Sequence, residues 1–378
     1  MGALTIGIAG AGVLGRLLAW RLSRAGHAVT VFDPAPGPHA PATGALHTPV
    51  VPHAAGFTAA GMLSPLAELD NAGPGIARLG WRSLALWREV AAALTPVQGR
   101  PALFAQQGSL LLAHGNDQGA AQRVLARLQA AVSPTEAWPV PRVLDRHDLA
   151  ALEPSLQPGL HAWLLPDEAQ LMPREMLAAL ATQSDNVWWC WGERVERVEP
   201  GAVHLADQTT QRFDLAIDVR GVGSQDAFRA PESALALRGV RGEVIWLHAP
   251  GVPLQRPVRL LHPRHRVYIV PRPGDLLVVG ATEIESEDRS PVSLRSATEL
   301  MSAAHSVMPG LAEARIVHME SNLRPALPDN HPRTTIEAGL LRINGLFRHG
   351  WLLAPALVQD ALSAMGLETS TQGEIAHV

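Results

Sequence analysis

LTIGIAGAGVLGRLLAWRLSRAGHAVTVFD, residues 4–33, decides the fold of this chain. Residues 4–9 form an apolar run that predicts a buried strand. Residues 13–25 carry leucines at helical spacing and predict a helix, and residues 27–32 predict a second strand. Asp33 ends that second strand. The order of strand, turn, helix, strand and terminal acid is typical of a nucleotide-binding α/β unit.

The turn between the first strand and the helix holds three glycines in the order G-x-G-x-x-G. Gly10 permits a tight turn, Gly12 lets the backbone approach a pyrophosphate, and Gly15 allows close packing of helix on strand. The free N–H groups at the helix start favour phosphate oxygens, and Asp33 stands where an acid binds a ribose hydroxyl. This stretch predicts a dinucleotide-binding site but does not identify the dinucleotide.

Composition excludes several classes of protein. The chain has 378 residues, enough for two domains, and a net charge of −4, which disfavours nucleic acid as a partner. No apolar run has the length of a membrane span and no signal peptide is evident, so we expect a cytoplasmic protein. Cys190 is the single cysteine, which allows no internal disulfide. The histidines show no metal-ligand spacing, so we expect no metal site.

The pattern changes along the chain. Both ends show strands alternating with helices, whereas short Val-, Ile- and Leu-rich strands separated by Pro and Gly follow Ser224 and predict an antiparallel sheet. We therefore predict an α/β fold, a Rossmann-type domain with an inserted substrate domain of antiparallel sheet and helices. The predicted bounds are 1–80, 145–225 and 320–366 for the nucleotide domain, 81–144 and 226–319 for the substrate domain, and 367–378 for a tail.

Motifs along nearly the whole chain resemble one family. They are GIAGAGVLG at 7–15, AAGML at 59–63, LLPDEAQLMPREMLAAL at 164–180, RGEV at 241–244, YIVPRPGDLLVVGATE at 268–283, LRPALPDN at 323–330 and GLFRHGWLLAPAL at 345–357. The chain resembles the flavin-dependent oxidases of the D-amino-acid oxidase and glycine oxidase type, most of all the bacterial glycine oxidases of thiamine biosynthesis. The resemblance implies non-covalent FAD, oxidation of an amine beside a carboxylate, and hydrogen peroxide as co-product.

Three residues are candidates for the substrate site. Arginine suits a substrate carboxylate because its planar fork binds both oxygens, and the family pattern puts its carboxylate-binding arginine at Arg324 and a second one at Arg348. Tyr268, the only tyrosine, can donate its hydroxyl to the same carboxylate. From the residues alone, each arginine also fits as a partner of a surface acid such as Asp329, and Tyr268 as a half-buried strand residue.

The resemblance also implies the cofactor contacts. Besides the residues of the opening stretch, the predicted contacts include the small-residue segment 59–62 and the two positions Val195 and Gly221. They also include a C-terminal loop, 345–352, that returns to the flavin ring and stabilises negative charge there. This return loop favours FAD over NAD. The predicted contacts are Gly10, Gly12, Gly15, Asp33, Ala59, Ala60, Gly61, Met62, Val195, Gly221, Gly345, Arg348, His349, Gly350, Trp351 and Leu352.

The function predicted from these residues is oxidation of glycine or a small D-amino acid by hydride transfer from Cα to the flavin, with oxygen as acceptor. Two alternatives stay open: a dehydrogenase of an amino acid or secondary amine that uses another acceptor, and a nucleotide-binding scaffold without catalysis. We also expect a homo-oligomer. The role of the long Pro- and Gly-rich loop at 34–61 stays open.

Overall fold

The computed structural model describes residues 2–40, 53–70, 72–94, 102–131, 138–228, 236–262 and 266–367. Within this part, two large sheets and a set of α-helices make up most of the regular structure. Residues 41–52 of the predicted loop 34–61 and residues 368–378 of the predicted tail 367–378 lie outside the described residues. The α-helices are Val13–Arg24, Pro65–Glu68, Pro74–Ala93, Gln118–Ala131, Arg146–Leu152, Pro173–Thr182, Leu294–Val307 and Gly350–Ala364.

A six-stranded sheet carries the opening stretch at its centre. Thr5–Ala9 pairs in parallel with Ala28–Asp33 on one side and Leu215–Asp218 on the other. The helices Val13–Arg24 and Gly350–Ala364 pack with this sheet in one core of leucines, isoleucines and valines. In spatial order the strands are Arg333–Glu337, Leu340–Asn344, Leu215–Asp218, Thr5–Ala9, Ala28–Asp33 and Val187–Trp191.

An eight-stranded, mostly antiparallel sheet forms the second layer, with Leu294–Val307 packed on one face. Two small three-stranded sheets accompany it, one of Val195–Glu199, Ala202–Leu205 and Thr210–Arg212, the other of Met62–Leu63, Ala169–Leu171 and Phe104–Ala105. In spatial order the eight strands are Arg315–Ala326, Arg238–His248, Leu276–Gly280, Arg266–Arg272, Val258–Leu261, Ser109–Ala113, His161–Leu165 and Arg142–Leu144.

The predicted fold class is confirmed, a Rossmann-type α/β layer joined to an antiparallel sheet with helices. Residues 187–198 form two strands rather than one, because Gly192 turns the backbone with a φ of 82° and sends the second half into a separate sheet.

The predicted domain bounds stay a prediction. Two strands that lie wholly or partly inside the ranges predicted for the nucleotide domain pair in the eight-stranded sheet instead. His161–Leu165 falls inside 145–225, yet it pairs with Ser109–Ala113 in the eight-stranded sheet. Its Ala162 packs with Leu110 and Leu112 in the core of that sheet. The strand Arg315–Ala326 also pairs with Arg238–His248 along its whole length, past residue 320. The partner strands were too distant in sequence for the pattern to reveal these pairings.

Candidate active site

A cavity of about 2180 Å³ runs along the carboxyl ends of the central parallel strands and continues against the eight-stranded sheet. Ligands bind at this edge in open parallel sheets. Nearly all of the predicted site residues line the cavity. Gly15 and Gly345 do not, and they act through packing instead.

The three glycines of the opening turn have different surroundings. Gly10 has a φ of +103°, and a Cβ there would lie 2.8 Å from the carbonyl oxygen of Val219. A Cβ on Gly15 would lie only 1.8 Å from the carbonyl oxygen of Gly10, so helix and strand are in direct contact. A Cβ on Gly12 would meet nothing closer than Ala54, at 3.7 Å. Gly12 therefore keeps its cavity side open, as a pyrophosphate requires.

Asp33 lies at the end of its strand and lines the cavity. Its Oδ2 accepts a hydrogen bond of 2.6 Å from the backbone N–H of Ala11, and its Oδ1 accepts one of 2.9 Å from Ala35. The carboxylate thus fixes the glycine turn. Each oxygen keeps a second acceptor position for a ribose hydroxyl.

The segment Ala59–Met62 lies on the cavity wall in a fixed conformation. Gly61 has a φ of +69°, and a Cβ there would lie 2.6 Å from the carbonyl oxygen of Leu171. The buried Arg272 donates to the carbonyl of Ala60. These contacts leave a flat stretch of small residues toward the cavity.

A buried acid holds the start of this segment, and the sequence did not reveal it. Glu320 accepts from His53 at 2.6 Å, from the hydroxyl of Thr58 at 2.5 Å and from Arg174 at 3.0 Å. Burial opposes its ionisation, but the hydrogen bonds from His318, His53 and Thr58 lower the pKa of Glu320 overall.

The C-terminal return loop reaches the cavity where predicted. Phe347 adopts a positive φ of 50°, and residues 346–352 line the cavity. Helix Gly350–Ala364 begins here, and the N–H groups of a helix's first turn lack helical partners. Trp351 donates its indole N–H to Gly56 at 3.0 Å, which ties this loop to the small-residue segment. The arrangement can stabilise negative charge on a bound ring.

Arg324 lies on the strand Arg315–Ala326, and its guanidinium lies flat against Gly242 of the paired strand. A Cβ on Gly242 would lie 2.4 Å from the Arg324 Cζ. The Arg324 Nη1 donates to the carbonyl of Arg241 at 3.3 Å, and within the described part of the chain Arg324 forms no ion pair. Burial lowers the pKa of Arg324, while Tyr268 and Glu283 raise it. A guanidinium keeps its charge near neutral pH even when burial lowers its pKa in this way.

Tyr268 lies opposite Gly280 on the adjacent strand. A Cβ on Gly280 would lie 2.7 Å from the Tyr268 hydroxyl, so the ring rests on the glycine. Burial raises the pKa of Tyr268, although Arg324 and Arg259 oppose this. The hydroxyl is therefore a neutral hydrogen-bond donor in the cavity.

Arg348 carries a partner that the sequence did not predict. Its Nη2 donates to Glu68 at 2.7 Å, and its Nη1 lies 3.5 Å from Glu283. Glu68 also contacts Arg259 at 3.3 Å and lies 3.5 Å from Nδ1 of His349. The available signal was a lone acid ending an apolar stretch just after the AAGML motif.

The ionisation of this group follows from its contacts. Burial opposes the charge on Glu68, but Arg348, His349 and Arg259 together lower its pKa. Burial lowers the pKa of His349 to about 4, despite the nearby Glu68. At neutral pH the site therefore contains ionised Glu68 and neutral His349.

No α-helix among the described residues has the length and apolar character that a bilayer crossing needs. Within the same residues, no group of three or more His, Cys, Asp or Glu side chains could hold a metal ion.

Comparison with known proteins places this site in a family. The family model described as FAD dependent oxidoreductase matches residues 5–360. The putative thiamine biosynthesis oxidoreductase ThiO of Rhizobium etli is 39% identical over 352 residues, which covers 93% of each chain. The glycine oxidase of Geobacillus kaustophilus is 24% identical, over 93% of this chain and 89% of that one. Its crystal structure superposes with a TM-score of 0.77 at 23% identity and covers 100% of this chain and 98% of that chain.

Proposed function

The chain belongs to the family of FAD-dependent oxidoreductases, and from this premise we propose that it oxidises glycine or a small D-amino acid. The relatives' names support this proposal, since one is a putative thiamine biosynthesis oxidoreductase and another a glycine oxidase. The reaction proposed removes a hydride from Cα and a proton from nitrogen, which gives an imino acid, and the two electrons and two protons reduce oxygen to hydrogen peroxide.

The observation that carries the proposal is the guanidinium of Arg324, which forms no ion pair within the described part of the chain. A partly buried guanidinium without a carboxylate partner among the described residues is costly unless a ligand neutralises it. A substrate carboxylate supplies that charge and can bind the planar fork with both oxygens. Tyr268 adds one neutral donor from the adjacent wall of the cavity.

The rest of the site orients the substrate. Positioning and electrostatics carry a hydride transfer, and no side-chain base is required. A substrate fixed through its carboxylate at Arg324 and Tyr268 presents its Cα–H toward the small-residue wall at Ala60 and Gly61. Because this wall is flat and has little side-chain bulk, a ring can lie against it.

The residues fit FAD along the length of the cavity. Gly10, Gly12 and Asp33 would hold the adenosine and pyrophosphate, and the helix start at Gly350 would face the ring system. Val195 and Gly221 line the cavity between them and are proposed as further contacts. When bound, FAD accepts the hydride at N5 and passes both electrons to an acceptor.

The acceptor, the location and the assembly are further parts of the proposal. Oxygen is the proposed acceptor, which makes the protein an oxidase. We also propose a cytoplasmic homo-oligomer with non-covalent FAD.

Anaerobic bleaching of the purified yellow protein tests the main proposal. We expect glycine, sarcosine, D-alanine or D-proline to reduce the flavin, and air to restore its colour with one peroxide per substrate oxidised. Flavin that bleaches but stays reduced in air would instead indicate a dehydrogenase. A flavin that none of these substrates reduces would overturn the proposal.

A further inference from the structure

The charges around Tyr268 almost cancel. Four guanidinium groups influence the tyrosine's ionisation, those of Arg324, Arg259, Arg272 and Arg348. Arg272 does not line the cavity, whereas Arg324, Arg259 and Arg348 do. Two carboxylates, Glu68 and Glu283, contact the arginines of this group. One positive charge therefore remains without a counterion among these five side chains, which matches a substrate with one carboxylate.

Glu68 is the acid that contacts two of these arginines, Arg259 and Arg348. One oxygen of Glu68 accepts from Arg348 at 2.7 Å, while the other accepts from Arg259 at the longer distances of 3.3 and 3.4 Å. Only 6% of Glu68 is exposed, so water screens its charge little. Without the negative charge of Glu68, Arg259 would have no counterion among these five side chains, and Arg348 would have only Glu283.

Arg259 is the less tightly held of the two arginines. Its Nε is buried and has no hydrogen-bond acceptor within the described part of the chain. Arg259 lies directly opposite Tyr268 in the antiparallel pair of strands, and both line the cavity. Side chains at such positions share a face of the sheet with Cβ atoms about 5 Å apart. A second carboxylate on a substrate bound at Tyr268 would therefore meet Arg259.

We propose that Glu68 sets the substrate class of this site, by neutralising Arg259 and Arg348 so that only monocarboxylic amines bind productively. The inference rests on the proposed function and goes beyond it by assigning selectivity against a second carboxylate to one buried acid. A dicarboxylic amine would bring a second negative charge next to Glu68, and like charges in a buried site are strongly unfavourable.

Substitution Glu68→Gln tests this assignment, because the amide oxygen can still accept from Arg348 while the negative charge and the acceptor oxygen toward Arg259 are lost. The measurement is kcat/KM for glycine and for iminodiacetate, the glycine analogue that carries a second carboxylate through a carboxymethyl group on nitrogen. We expect the ratio of iminodiacetate to glycine to rise about tenfold or more. An unchanged ratio in a variant with normal flavin content would overturn the inference.

Two matched variants separate charge from position. Glu68→Asp keeps the charge and should keep the preference of the wild type for glycine. Glu283→Gln makes the same change in net charge, but Glu283 has no contact with Arg259, so its ratio should shift much less than that of Glu68→Gln. Equal shifts in the two glutamine variants would show that net charge alone acts, and would overturn the role assigned to Glu68.

A binding measurement keeps the proposal testable if Glu68→Gln loses its flavin. The unreactive analogues glycolate and diglycolate carry one and two carboxylates, and each is titrated into wild-type holoenzyme by flavin absorbance. Glycolate should bind at least about tenfold more tightly, and equal affinities would overturn the inference. A wild type that no amino acid reduces would defeat the proposed function itself, whereas a glycine-oxidising wild type with no such selectivity would defeat only this inference.

Discussion

The nucleotide end of the cavity comes from one continuous stretch, residues 4–33, whereas the reactive end collects side chains from Met62 to Trp351. The nucleotide end uses backbone: glycines without Cβ atoms and the N–H groups of a helix start. The reactive end uses polar and charged side chains on three strands, a short helix and two loops. A backbone cradle depends on local geometry, whereas the reactive end depends on charges that distant segments must balance.

This difference predicts different responses to mutation. A change at the nucleotide end should act on flavin binding and folding, since the glycines contact backbone. A change at the reactive end should act on turnover with the flavin still bound. The following variants test that separation.

Arg324→Ala should have the largest effect. Loss of a buried charged partner costs about 2–5 kcal/mol, so we expect kcat/KM for glycine to fall about 100- to 1000-fold. Flavin content should stay normal, because the Arg324 guanidinium lies against Gly242 of the eight-stranded sheet. Arg324→Lys keeps the charge without the planar fork and should recover part of the loss. An alanine variant within twofold of wild-type kcat/KM would refute the carboxylate assignment.

Gly15→Ala should have the next largest effect, at the opposite end. Helix propensity alone favours alanine by about 1 kcal/mol, but the new Cβ would lie 1.8 Å from the carbonyl oxygen of Gly10. We expect this backbone clash to dominate and to destabilise the protein by about 3 kcal/mol, measured as a lower Tm of the holoenzyme.

Gly12→Ala is the matched control for that clash. Its Cβ would have space on the protein side, with Ala54 at 3.7 Å. We expect the Kd for FAD to rise while the Tm of flavin-free protein stays at the wild-type value. A Gly12→Ala protein with unchanged FAD affinity would mean that the pyrophosphate does not lie against this glycine.

The pH dependence of stability should reveal His349. Its folded pKa is lowered from 6.5 to about 4 by burial, so the unfolded chain binds more protons between these values. Its contribution is fully present above pH 6.5 and is lost as the pH falls toward 4, by about 2 kcal/mol at pH 5. Glu68 does not act in this window, because its folded pKa lies below its ordinary value of 4.5.

Substitution His349→Asn checks this origin. The holoenzyme Tm should fall less between pH 8 and pH 5 in the variant than in the wild type. Parallel Tm curves for the two proteins would show that the imidazole does not titrate on unfolding in this range.

The two ends also differ in how far the sequence predicts them. The strand, helix and glycine roles at residues 4–33 follow from local pattern, and the structure places Gly10, Gly12 and Gly15 in the surroundings that those roles require. Arg324 and Tyr268 were selected by chemistry and by family resemblance. Glu68 was missed, since nothing in its neighbourhood along the chain shows that Arg259 and Arg348 meet it in space.

Gly242→Ala should have the smallest and most specific effect, because it changes only the backbone surface on which the Arg324 guanidinium lies. Its Cβ would lie 2.4 Å from Cζ of Arg324, a flexible side chain that can move aside without unfolding the strand. We expect KM for glycine to rise about tenfold, with little change in Tm. Gly239→Ala on the same strand would press on Leu323 instead, so its KM should stay at the wild-type value. If both variants raise KM alike, Arg324 does not depend on the Gly242 surface, and the reactive end would owe its geometry to side-chain charges alone.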